Sequence, residues 1–280
     1  MPAYPGAGAL LSDALLRRDR FGPNFGILVV EGSDDKRVFA DRTHRRQQVI
    51  VADGKWLLLA AHAAALADDL SDFIVFLADC DYDVTMALLK PGPGLIITEH
   101  ADLEADLLAC GGWERIVGQL VPSTLDDDDR FNEAVASVMT RTVGLADILG
   151  RYRRVAREFR FEADTDIRHV RYRRSNSDEI DNARLLRSLW QSSRECALSL
   201  LEFEERISAI SSDYDNCNGH DLVKAFLHVL REDFGVRDIT ADNLEVLLRH
   251  GVSRDNFEEW SVTRRIRNWE LATKASILRP

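Results

Sequence analysis

The chain has 280 residues, 45% of them apolar and 30% charged, so a packed core is expected and wholesale disorder is not. Lys and Arg number 36 against 47 Asp and Glu, a net charge of −11 that argues against bulk electrostatic adhesion to DNA or to an anionic membrane. A local basic groove, or an acidic site that reaches phosphate through metal ions, remains compatible with that balance.

Residues 1–24 lack the basic-then-apolar order of a secretory signal and read as a helical extension. Residues 26–31 (GILVVE) form a short apolar run of the kind buried on both faces of a parallel sheet. Ser33, Asp34 and Asp35 supply N-cap chemistry for a helix expected to reach about residue 47. A second strand is predicted at 49–53 (VIVAD). Gly54 then turns the chain into a segment of strong helix propensity, 55–67. Strands follow at 73–79 (FIVFLAD) and at 95–99 (LIITE), the latter behind the breaker run Pro91-Gly92-Pro93-Gly94. Residues 102–110 read as helix. Strands separated by helices imply βαβ crossovers and a parallel sheet.

After about residue 115 amphipathic helices dominate, at roughly 131–150, 178–210, 220–233, 241–250 and 255–275. The expected class is therefore α/β. A helical extension (1–24) precedes a Rossmann-like core with a mostly parallel sheet (25–115), and a mainly helical region (116–280) packs on that core. No run approaches the ~18 apolar residues of a membrane span. Cys80, Cys110, Cys196 and Cys217 stand far apart without a CxxC pair and read as reduced thiols of a cytoplasmic protein.

All four predicted strands finish on a carboxylate: Glu31, Asp53, Asp79 and Glu99. Open parallel sheets bind ligands at the carboxyl ends of their strands. Like charges crowded there are costly unless something compensates them, and a hard divalent cation does so. One polar strand end is ordinary; four, one of them continuing as Asp79-x-Asp81-x-Asp83, point to metal. Alternate residues of an extended segment face the same way, so these carboxylates can converge on one ion. Gly32, directly after Glu31, permits a tight turn and the close approach of a phosphate or metal. No GxxxxGK[ST] loop occurs, so the chain is not expected to hydrolyse ATP.

Val30-Glu31-Gly32-x-x-Asp35 with Phe39, then Asp79-x-Asp81, then Thr98 with Leu103-Glu104, resembles a TOPRIM domain. The likeness is greatest to small stand-alone OLD-like TOPRIM nucleases encoded beside ABC-type ATPases. Gly219-His220-Asp221-Leu222, opening a late helix, is similar to a segment these proteins often carry. The resemblance implies a metal-dependent centre that cleaves phosphodiester bonds in DNA or RNA. Glu31 would be the catalytic Glu, as metal ligand or general acid/base, with Asp79 and Asp81 holding Mg²⁺ or Mn²⁺. Asp35 and Glu104 would complete a second metal position, with Asp83 as a further ligand and two ions stabilising an in-line displacement. It also implies an effector of a bacterial anti-phage system held by a partner ATPase. A nucleic-acid substrate and that ATPase are the interactions to expect and a membrane is not; the sequence is compatible with a homo-oligomer without specifying one. The alternative is a TOPRIM-derived subunit that docks on the ATPase without cutting.

His220 and Asp221 read either as a further metal ligand or proton-transfer pair, or as an N-cap in which Asn218 or Asp221 begins the helix. The block 151–174 carries Arg151, Arg153, Arg154, Arg171, Arg173 and Arg174 among aromatics, which suits phosphate contact and base stacking. The same arginines could instead pair with the acidic majority of the chain.

Overall fold

Ile27–Val30 (β1), Val49–Val51 (β2), Ile74–Ala78 (β3) and Leu95–Ile97 (β4) are the most apolar segments of the first half. Nearly every side chain in them is buried, as a sheet covered on both faces requires. This is a computed structural model, and it describes residues 6–81, 90–120, 128–167 and 180–280. The strands form one sheet in the order β2-β1-β3-β4, and every pairing is parallel. Leu28 pairs with Val49 on one side and Val75 on the other, and Leu77 pairs with Ile96. The protein is thus α/β, a parallel sheet with a large helical remainder.

The chain divides into two compact units. One joins Met1–Asp106 to Val252–Pro280; the other is Leu107–Gly251. In the sheet unit, α1 (Ala7–Phe21) and α3 (Lys55–Ala67) pack on each other. Leu10, Leu11 and Ala14 from the first, with Leu58, Ala61 and Ala65 from the second, share a core with Ile27, Val29, Phe76 and Ile97. Alternation along a strand sends Leu28, Val75, Leu77 and Ile96 to the opposite face. Near the strands, α2 (Ser33–Ala40) contacts β1 and β2, and Phe39 stacks on Trp260 at 5.9 Å between centroids. Two late helices, Arg254–Glu259 and Ser261–Thr273 (α11 and α12 in chain order), belong to this unit.

The helix expected to reach residue 47 stops at Ala40, and the reason is tertiary. The backbone at 42–44 pairs with the C-terminal segment: His44 N–H donates to the Ile277 carbonyl and Arg279 N–H to that of Arg42, 2.9 Å each. Just before β1, a Cβ on Gly26 would lie 2.7 Å from Ile277 Cγ1 and 3.2 Å from the Ser276 carbonyl, so a larger residue there would push the C-terminal segment away. A single helix over 255–275 is likewise replaced by two, with buried Trp260 at the junction.

The second unit holds α5 (Trp113–Leu120), α6 (Asp128–Phe159), α7 (Asn182–Ser192), α8 (Leu200–Ala209), α9 (Gly219–Phe234) and α10 (Ala241–Gly251). The short α4 (Leu103–Leu107) leads into it. The segment predicted as one helix over 178–210 is broken between Ser192 and Leu200, its first two residues lying outside the described ones. By contrast, α6 runs past residue 150, because Tyr152, Val155 and Ala156 continue its buried face. Midway along α6 the turn Tyr214–Asn216 approaches Gly150 so closely that a Cβ there would overlap the Asn216 carbonyl. Gly150→Ala is expected to cost about 1–3 kcal/mol by forcing the two backbones apart. A lower urea midpoint at unchanged slope would register it.

Candidate active site

With strand order β2-β1-β3-β4, successive strands are laid down in opposite directions on either side of the gap between β1 and β3. That gap is the switch point at which doubly wound sheets bind ligands. Glu31 and Asp79 are the residues immediately beyond those two strands, and they meet: Glu31 Oε1 accepts the Asp79 N–H at 2.8 Å.

Burial raises the Glu31 carboxyl from its ordinary 4.5 to about 7. The Asp79 N–H and the Lys55 ammonium oppose that rise, while the Asp81 and Asp35 charges add to it. Asp79 is held well above the usual carboxylate range, first by burial and then by repulsion from Asp35, Glu31, Asp102 and Glu104. The acids carried over from the resemblance, Glu31, Asp35, Asp79, Asp81 and Glu104, therefore act on one another at the carboxyl edge of the sheet. Asp83 lies outside the described residues.

Each acid is steered by its local backbone. The Asp35 carboxylate accepts the Gly32 N–H at 2.7 Å and closes the first turn of α2. Asp81 takes a left-handed φ of 45°, which Asp tolerates, and its N–H donates to the Ala101 carbonyl at 2.6 Å. Its carboxylate receives Lys55 Nζ at 2.7 Å. Thr98 Oγ1 accepts the Cys80 N–H at 2.7 Å and donates to the His100 carbonyl at 2.8 Å, fastening the Asp79–Asp81 segment to the end of β4. Of the other two strand ends, Asp53 sits in an exposed turn and Glu99 is exposed.

Three contributors escaped the sequence reading. Lys55 opens α3 directly after the β2 turn, where a basic residue faces the acids of the neighbouring strands; Asp53-Gly54 marking that turn was the available signal. Asp102 joins the field acting on Asp79, with one oxygen accepting the Ala105 N–H at 3.0 Å. Asp106 is buried and structural: it accepts the N–H groups of Glu99 and His100 and the Trp260 indole, at 3.1, 2.7 and 3.0 Å. Burial pushes its carboxyl up, and those three donors oppose the shift.

Among the described residues, no three His, Cys, Asp or Glu side chains converge as a ready ligand set. Asp81 is engaged by Lys55, and Asp35 by Gly32. The donors are nonetheless all carboxylate oxygens, the atoms that Mg²⁺ and Mn²⁺ prefer, and a cation would relieve the repulsion that lifts Glu31 and Asp79. By charge and donor type the cluster fits such an ion; Asp81 would have to leave Lys55 to join in.

Of the described candidates in the helical unit, Asp221 is the one that is fully buried. Both Asp221 oxygens are taken by Arg153, Nε to Oδ2 at 2.6 Å and Nη2 to Oδ1 at 2.9 Å. Its N–H is capped by Asn218 Oδ1 at 2.8 Å, so the N-cap alternative describes this segment. His220 is largely exposed, 4.0 Å from a Glu245 oxygen. Arg151 pairs with Asp147 at 2.8 Å and reaches the Ile207 carbonyl, while Arg154 donates to Asn216 Oδ1 at 2.9 Å. Arg151, Arg153 and Arg154 thus each donate to a buried acceptor of their own unit, as the pairing alternative expects, while Arg154 itself remains exposed. Arg171, Arg173 and Arg174 lie outside the described residues.

No family model matches the chain, and no curated protein matches it significantly. The TOPRIM resemblance therefore rests on the residues quoted above. Among the described residues no helix is long and apolar enough to cross a membrane.

Proposed function

We propose that this protein is a metal-dependent nuclease of TOPRIM type that hydrolyses phosphodiester bonds of DNA or RNA at the β1/β3 strand ends. The observation that carries the reading is the meeting of Glu31 and Asp79 at the switch point, inside a field of further carboxylates. Asp79 and Asp81 would hold Mg²⁺ or Mn²⁺, Asp35 and Glu104 would support a second position, and Glu31 would act as ligand or as proton carrier. A bound cation supplies the positive charge that the phosphate and its leaving oxygen require. Lys55, already beside Asp81, adds a protein cation at the same edge. The setting that fits the resemblance is a cytoplasmic anti-phage effector restrained by an ABC-type ATPase. A net charge of −11 suits a protein that needs metal or a partner to approach a polyanion.

The deciding experiment incubates the purified chain with plasmid, single-stranded DNA and tRNA in Mg²⁺ or Mn²⁺, beside Asp79→Asn. Cleavage by the wild type alone is expected; equal cleavage by both would remove the catalytic assignment. One observation favours the docking-subunit alternative: the Lys55–Asp81 pair stands where a ligand set would otherwise form. Lys55→Met distinguishes the two. Under the nuclease reading, Mn²⁺ raises the melting temperature of the wild type, and raises it further in the variant because the competing ammonium is gone. Asp81 is half-exposed, so losing the pair itself costs no more than about 1 kcal/mol. Melting curves insensitive to Mn²⁺ in both proteins would favour the docking subunit.

A further inference from the structure

A cavity of about 400 Å³ opens in the helical unit against one face of α9. Lys224, His228 and Arg231 line it, and their i, i+4, i+7 spacing puts all three on a single stripe of that helix. In a chain of net charge −11 with His counted neutral, Lys224 and Arg231 set two positive charges against the single carboxylate of Asp166 in this lining, the reverse of the prevailing sign. We propose that this cavity binds a small phosphate monoester of about mononucleotide size, a ligand separate from whatever the carboxylate cluster of the sheet unit holds.

Three features support the assignment. The basic groups are positioned by neighbours: Lys224 Nζ donates to Thr165 Oγ1 at 3.3 Å, and Arg231 Nη2 to the Ile239 carbonyl at 3.0 Å. The Arg231 bond uses one of the five donors of its guanidinium. His228 lines the cavity at 6% exposure, a polar group kept in the wall of a largely apolar space. Thr240, also in the lining, caps the start of α10 by accepting the Asn243 N–H at 3.2 Å, so the positive end of that helix dipole adjoins the same space. An anion is what this combination favours.

The remaining wall argues for more than a bare phosphate. Ile167, Leu227 and Ala241 offer apolar surface for an organic body. Asp166, an exposed carboxylate in the same lining, is an acceptor of the kind to which a sugar hydroxyl can donate. The volume falls at the small-molecule end of ligand pockets. A monoester carrying a sugar satisfies the charges, the acceptor and the apolar surface together.

The test uses the full chain in excess chelator, so that the carboxylate cluster contributes nothing through metal. AMP, UMP, ribose 5-phosphate and inorganic phosphate are titrated by calorimetry and by thermal shift. At least one monoester is expected to raise the melting temperature and to bind tenfold or more tighter than inorganic phosphate. The nucleotides against ribose 5-phosphate then show whether a base is part of the ligand. Lys224→Gln with Arg231→Gln should weaken that binding at least tenfold. Ala241→Phe, which fills the space but leaves the charges, should do the same, and Glu31→Gln should leave it unchanged. The proposal is overturned if no monoester binds at millimolar concentration, if inorganic phosphate binds equally well, or if both cavity variants bind like the wild type.

Discussion

Glu31→Gln is expected to raise the melting temperature at pH 8 and, under the proposed nuclease function, to abolish cleavage. In the folded protein burial keeps the Glu31 carboxyl protonated up to about pH 7, whereas the unfolded chain releases that proton near 4.5. The folded state thus binds more protons between those values, and this group's contribution to stability falls as pH rises through the window. Above pH 7 the cost is fully present; below about 4.5 it is absent. Taken at 1.36 kcal/mol per unit the shift would be worth roughly 3 kcal/mol, and partial exposure screens it to on the order of 2. Glutamine carries no charge to desolvate, and its amide oxygen can still accept the Asp79 N–H that Glu31 accepts at 2.8 Å. The gain should therefore appear at pH 8 and vanish at pH 4. An equal gain at both values would place its origin elsewhere than in ionisation. Stability gained with activity lost is the mark of a group kept for chemistry at the expense of the fold.

The largest destabilisation is expected from Arg153→Met. Asp221 is fully buried, and Arg153 meets both of its carboxylate oxygens. Removing the guanidinium strands a charge with no route to water, which costs about 3–5 kcal/mol. Replacing both partners, Arg153→Met with Asp221→Leu, should recover most of that loss, because a pair of apolar side chains needs no compensation there. Urea midpoints of the two single variants and the double variant measure the coupling. The double variant also separates the two meanings of the Gly219-His220-Asp221-Leu222 segment. Retained cleavage marks Asp221 as an internal ion-pair partner; a folded double variant that no longer cuts would restore it as a functional acid.

The elements of the sheet were legible because each strand is a brief apolar run between turn residues, and burial on both faces leaves no other use for such a run. Their lengths were not. The helix after Gly32 ends early because residues 277–279, at the far end of the chain, claim the backbone of residues 42–44. No local propensity encodes a competitor so distant in sequence. Glu31 and Asp79 could be picked out as a strand end and a strand end. Asp102 and Asp106 could not, and Lys55 only through the Asp53-Gly54 turn before it, because their part depends on how the segments after β2 and β4 return to that edge. The arginines of 151–154 show the same limit: their composition suits phosphate, and only the structure reveals that they also hold Asp147, Asp221 and Asn216 of the same unit.

From the sequence alone follow the class of the fold, the approximate place of every strand, and the presence of an acid at each strand's end. Only the tertiary structure decides which of those acids face one another, which is paired with a lysine, and which basic groups are neutralised within the protein. Hydrophobic patterning is a property of neighbours along the chain, so it can be read in one dimension. Charge interactions depend on distance and burial in three, and neither is written in the order of the residues.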